Sequence, residues 1–185
     1  MADIVILPAR FGNGHLSAAA NIAAALARDF PTLSVEIVDP FQLTKPKPYL
    51  RVQRIYRLAQ RRTPLLWYAF FRLADRTPLG RWWVLSNRPL REFFRQFPAA
   101  YAPKAVVNTY AVFPAVLGQY YGRGTPLPFR LATVLTDSIS INRTWLEGPS
   151  ELFLVSDPLT ALSVAVQGVA EEKIVVTGFP TPIEF

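Results

Sequence analysis

Six short apolar runs, rich in Val, Ile and Leu, recur along this chain, and most of them end on or just before a polar residue. They span residues 3–7, 33–38, 104–108, 131–135, 151–155 and 173–177. Runs this short and this continuously apolar fit strands buried on both faces. Helical stretches separate them: an Ala-rich one at 15–29, another at 114–121 and a third at 158–167. That alternation predicts an α/β fold with a Rossmann-like, doubly wound and mostly parallel sheet covered on both faces. In such a sheet ligands bind outside the carboxyl ends of the strands. The residues to interrogate are therefore Gly12-Asn13-Gly14-His15, Asp39, Asn108-Thr109 and Thr136-Asp137.

Composition narrows the chemistry. With 185 residues and 51% hydrophobic character, the chain suits one domain with a real core and excludes disorder as its main state. It has no Cys and one His, which removes disulfides, thiolate zinc sites, cysteine nucleophiles and multi-histidine metal sites. No metal and no cofactor is expected. Asp3 stands where an export signal would carry positive charge, and no stretch approaches the ~18 apolar residues needed to span a bilayer. The expected location is the cytoplasmic side, at most peripheral to a membrane.

Charge is sharply partitioned. Residues 45–104 hold 14 Lys and Arg against only Asp75 and Glu92, whereas the rest of the chain holds 6 basic and 11 acidic residues. The same segment holds 12 of the 24 aromatic residues, including Trp67, Trp82 and Trp83. Arg51, Arg54, Arg57 and Arg61 recur at steps of three and four beside a stripe of Val52, Ile55, Tyr56 and Ala59. Arg88, Arg91 and Arg95 repeat that pattern opposite Leu90, Phe93, Phe94 and Phe97. Arg-rich amphipathic helices with Trp and Phe suit an anionic membrane interface, where each basic residue contributes about 1 kcal/mol. Ordinary packing, with the rings in the core and the Arg in water, is the plain alternative. Single-stranded nucleic acid ranks lower, because the aromatics cluster in blocks instead of alternating with basic residues along strands. No nucleic-acid partner is expected.

Gly12 and Gly14 permit a tight turn and close backbone approach ahead of a helix N-terminus. Gly12-x-Gly14-x-x-Ser17 is half of a dinucleotide fingerprint, and Asp39 stands where a ribose-binding acid falls, so NAD binding is an alternative. His15, the only histidine, sits where the positive helix end disfavours imidazolium; a neutral imidazole in a cleft is a good general base. A capping or packing role is the ordinary alternative. In the run from Thr136 to Trp145, Asp137 is placed to hydrogen-bond a ligand hydroxyl or to orient His15, and Trp145 to wall the pocket. A loop cap is the ordinary role for Asp137.

Three features in this order resemble the N-terminal domain of the monogalactosyldiacylglycerol synthase family, which includes processive diacylglycerol glucosyltransferases. They are Gly12-Asn13-Gly14-His15-Leu16-Ser17-Ala18-Ala19, Thr136-Asp137 followed by Thr144-Trp145, and Val176-Thr177-Gly178-Phe179-Pro180. The resemblance implies one half of a GT-B glycosyltransferase: inverting, metal-independent, moving a hexose from a UDP-sugar to the 3-hydroxyl of diacylglycerol. It also implies that His15 is the base, that Gly12, Asn13, Gly14, Asp137, Asn142 and Trp145 bind substrate, and that the basic insert 45–104 meets anionic lipid and gathers the acceptor. Asn142 stands where the family commonly has His, and it cannot take a proton. The donor-binding C-terminal domain is expected to lie outside these 185 residues, so the chain is expected to be inactive alone. A non-catalytic peripheral membrane module is the competing expectation.

Overall fold

The computed structural model describes residues 2–10, 14–44, 51, 54, 58, 86–121, 124–139 and 141–182. Six strands form one sheet: β1 (Ile4–Leu7), β2 (Val35–Ile37), β3 (Ala105–Asn108), β4 (Arg130–Val134), β5 (Leu152–Val155) and β6 (Ile174–Val176). All five pairings are parallel, in the order β2-β1-β3-β4-β5-β6. Each expected strand is present, most of them one to three residues shorter than the apolar run, because pairing stops where the chain turns into its loop. The order reverses at β1, with β2 on one side and β3 on the other. The crevice between the carboxyl ends of β1 and β3 is therefore the topological switch point.

The amino end of the sheet is pinned by polar contacts. Asp3 accepts from the backbone N–H and the hydroxyl of Ser34 at 3.0 and 2.8 Å and pairs with Lys104 at 2.7 Å, so the starts of β1, β2 and β3 are clipped together. Lys104 and Ser34 hold the Asp3 carboxyl well below the usual carboxylate range.

Five described helices flank the sheet: α1 (Gly14–Asp29), α2 (Pro40–Thr44), α3 (Arg88–Tyr101), α4 (Phe113–Leu117) and α5 (Pro158–Val166). The expected helix at 114–121 ends earlier, because Gly118 caps it by donating to the Pro114 carbonyl and the chain turns through Tyr120 and Tyr121. α3 starts where Asn87 accepts from the Leu90 N–H and ends at Ala102, whose φ is 44°.

α3 corrects one expectation. Its aromatic face does not seek a surface: Leu90, Phe94 and Phe97 are fully buried and share one apolar cluster with Val5, Leu7, Val106, Phe113 and Leu131. Ring centroids lie 5.4 Å apart for Phe94 and Phe113 and 5.8 Å for Phe97 and Phe129. The end of the basic segment is thus the crossover helix that covers β1 and β3. Phe94→Ala should destabilise the fold by about 3–5 kcal/mol, while Arg88→Ala on the exposed side should stay within about 0.5 kcal/mol; urea unfolding midpoints check both.

The charged face of α3 is mixed. Arg88 is exposed, and Arg95 is exposed but bonded through both Nε and an Nη to Glu92, at 2.9 and 2.5 Å. Gln96 also donates to Glu92, and these bonds hold the Glu92 carboxyl down to about 2. Arg91 is half-buried, and its Nε has no hydrogen-bond partner among the described residues. Further back, Arg51, Arg54 and Leu58 are each helical and exposed. Arg57, Arg61, Trp67, Trp82 and Trp83 lie outside the described residues, as do Gly12 and Asn13.

Candidate active site

Three loops meet over the switch point, and His15 is where they meet. It is the second residue of α1, the helix that follows β1 in the chain. The β3 loop holds its backbone: the Thr109 N–H donates to the Leu7 carbonyl at 3.1 Å, and Thr109 Oγ1 donates to the His15 carbonyl at 3.0 Å. The β4 loop holds its ring, with Thr136 Oγ1 and His15 Nδ1 only 2.7 Å apart. Tyr110 meets the imidazole edge-on at 5.1 Å, and Trp145 packs beside it at 5.9 Å.

Each wall of this clamp has its own support. At the end of β3, buried Asn108 accepts from the Tyr110 N–H at 3.2 Å and donates to Thr133 at 3.4 Å, and Thr133 bonds Ser150 at 2.9 Å. A short polar ladder across β3 and β4 thereby sets where Tyr110 stands. Trp145 is buried in a 3-10 turn (Arg143–Trp145), and its indole N–H donates to Asp137 Oδ2 at 2.7 Å. Asn142 caps that turn, accepting from the backbone N–H and the hydroxyl of Thr144 at 2.8 and 2.6 Å.

The candidates thus fall into place unevenly. His15, Asp137 and Trp145 are brought together. Asp137 hydrogen-bonds Trp145, whereas the group that bonds the imidazole is its neighbour Thr136. Asn142 supports the Trp145 turn through its side-chain oxygen. Gly14 opens α1 with no left-handed φ, and a Cβ built there would meet nothing within 4 Å. The open flank at the helix start is the space a glycine leaves beside His15. Tyr110 was not singled out by sequence reasoning; it lies two residues past a strand end, where the strand-end rule extended by one turn finds it.

Asp39, the acid of the dinucleotide alternative, has a capping role. Its buried carboxylate caps α2, accepting from the N–H groups of Phe41 and Gln42 at 3.0 and 3.2 Å, with Arg10 Nε 4.0 Å away. Capping the following helix is an ordinary role for a strand-end Asp. Among the described residues no cluster of three or more His, Cys, Asp or Glu is placed to hold a metal ion.

Burial lowers the His15 pKa from its ordinary 6.5, against the smaller opposing effects of the Asp137 charge and a hydrogen bond with the Thr109 backbone. The ring is therefore neutral at physiological pH. The sign for stability follows: below about pH 6.5 the unfolded chain takes up a proton at His15 that the folded chain refuses, so stability falls as pH drops toward the folded pKa. Urea midpoints of the wild type measured from neutral to mildly acidic pH should fall through that window. His15→Asn should flatten the fall.

The sheet order defines a Rossmann-like α/β domain, and the His15 cluster lies over its switch point. The family model for monogalactosyldiacylglycerol (MGDG) synthase matches residues 15–181, which begin at His15 itself and run past Pro180. The chain belongs to this family, whose domain is of the GT-B type and whose members are glycolipid glycosyltransferases. No curated protein matches the chain closely enough to count as a relative. No described helix is long and apolar enough to cross a membrane.

Proposed function

We propose that this domain supplies the acceptor side of hexose transfer from a UDP-sugar to diacylglycerol, working peripherally at the cytoplasmic face of a membrane. One observation carries the reading most: a neutral imidazole held by Thr136 between Tyr110 and Trp145 at the switch point. With Nδ1 engaged by Thr136, this reading assigns the meeting with the acceptor to Nε2. In the reaction the glycerol hydroxyl gives its proton to Nε2, its oxygen forms a bond to the anomeric carbon, and the bond from that carbon to UDP breaks with inversion. A GT-B cleft joins two domains, so the donor is held by a nucleotide-sugar domain, and the 185 residues alone bind acceptor without transferring sugar. The flank at Gly14 is the approach for the hydroxyl, and Gly12, Asn13, Asp137, Asn142 and Trp145 are the other residues read as binding substrate.

The basic segment supplies the membrane side of this reading. Arg51, Arg54, Arg57, Arg61, Arg88, Arg91 and Arg95, with Trp67, Trp82 and Trp83, meet anionic lipid and hold the acceptor nearby. The exposure of Arg51, Arg54, Leu58 and Arg88 supports this. The burial of Phe94 and Phe97 moves the contact away from the inner face of α3 and toward residues 45–87.

Vesicle co-sedimentation of the purified chain tests it. Binding should rise with the anionic lipid fraction and fall with added salt, because exposed charges are screened within about 10 Å at 0.1 M ionic strength. Binding that ignores both would defeat the membrane reading, and sugar transfer by the 185 residues alone would defeat the acceptor-half reading. Asn142 favours a second reading, a membrane-binding module without catalysis, since its oxygen caps a turn and its amide takes no proton. That reading expects vesicle binding but no dependence of any transfer on His15.

A further inference from the structure

A base works through one lone pair, so an imidazole that is to accept a proton must have its own hydrogen fixed on the other nitrogen. At Nδ1 of His15 the group within hydrogen-bond distance is a hydroxyl, which can accept or donate; the nearby carboxylate is engaged elsewhere. We propose that Thr136 is the positioning residue of the site: its Oγ1 accepts from Nδ1–H and so selects the tautomer whose Nε2 lone pair faces the acceptor. This rests on the reading of His15 as the base.

Three observations carry the assignment. The Thr136–His15 contact is short, at 2.7 Å, and it spans 121 residues of chain, so the fold itself brings the two together. Asp137, the residue that would orient a histidine in a carboxylate–imidazole pair, accepts from the Trp145 indole at 2.7 Å. The ring plane is already held on two sides by Tyr110 and Trp145, which leaves its hydrogen bonds, with Thr136 and with the Thr109 backbone, to decide which nitrogen carries the hydrogen. The titratable groups that face the ring are Asp137 from the β4 loop and Tyr110 from the β3 loop, and the first turn of α1 carries no acidic residue. A neutral hydroxyl can fix a tautomer without adding charge beside the ring, whereas a carboxylate would also raise the pKa of the ring.

His15 is the only histidine, so the tautomer is readable without assignment in a long-range proton–nitrogen correlation spectrum of the nitrogen-15-labelled chain. The wild type should show a protonated Nδ1 at neutral pH. Thr136→Val should convert the signal to the Nε2–H form, and Thr136→Ser should restore it. In a complete transferase carrying this domain, Thr136→Val should lower kcat by about tenfold with little change in KM, and Thr136→Ser should recover most of it. A wild-type ring already in the Nε2–H form overturns the proposal even if no variant folds, as does a tautomer unmoved by Thr136→Val. The same transferase with His15→Asn keeps the two readings apart. Transfer lost there with a tautomer indifferent to Thr136 sinks the positioning role alone, and transfer retained sinks the base.

Discussion

His15→Ala should lower kcat for sugar transfer by about 10²–10⁴-fold in a transferase combining this domain with a nucleotide-sugar domain, the range a positioned general base contributes. The effect should fall on kcat more than on KM. The imidazole acts only as the hydroxyl loses its proton, whereas acceptor binding draws on the wider pocket and the basic segment. Little stability should be lost. Among the described residues the ring has one side-chain hydrogen bond, and its lowered pKa makes it slightly costly in mild acid. Steady-state kinetics beside urea unfolding separates the two consequences. A variant that unfolds easily but transfers normally per folded molecule would return His15 to a packing role.

Gly148→Ala should be among the most damaging changes to the fold. Gly148 has φ of +125°, and a Cβ built there would lie 2.2 Å from the Pro114 carbonyl oxygen, a backbone atom that cannot swing away. Backbone strain of this kind costs roughly 1–3 kcal/mol before the clash is counted. The damage should also reach the site. Gly148 lies just after the turn that carries Trp145, and its contact seats that turn against the start of α4. Thermal unfolding should show a large drop in Tm, and tryptophan fluorescence should report a displaced Trp145. A variant that melts at the wild-type Tm would refute the expectation.

Much of this was legible in the chain itself, for identifiable reasons. Strands such as Ile4–Leu7 and Leu152–Val155 announce themselves because a doubly covered sheet demands continuous apolar runs, and polar residues at their ends mark the ligand side. The face of α3 was harder. Helical spacing says that Leu90, Phe94 and Phe97 share a side, but a sheet and a lipid surface ask for the same stripe, and only the tertiary contact with Val5 and Val106 tells them apart. Thr136 and Asp137 are adjacent in a loop, where no periodicity says which of them turns toward His15. Asp39 looked like a ribose ligand because capping and binding use the same carboxylate at the same strand end. Gly148 carried no local signal at all, since its need for glycine comes from the backbone of Pro114, far away in the chain.

The most direct measurement is a titration of the nitrogen-15-labelled chain with dioctanoylglycerol in micelles, following the single imidazole. The expected result is a saturable shift of the His15 ring signals that tracks acceptor concentration and is absent with micelles alone. Ring signals that stay fixed while backbone signals of the basic segment respond would mean that lipid gathers on the chain without reaching the imidazole, and His15 would not be the base.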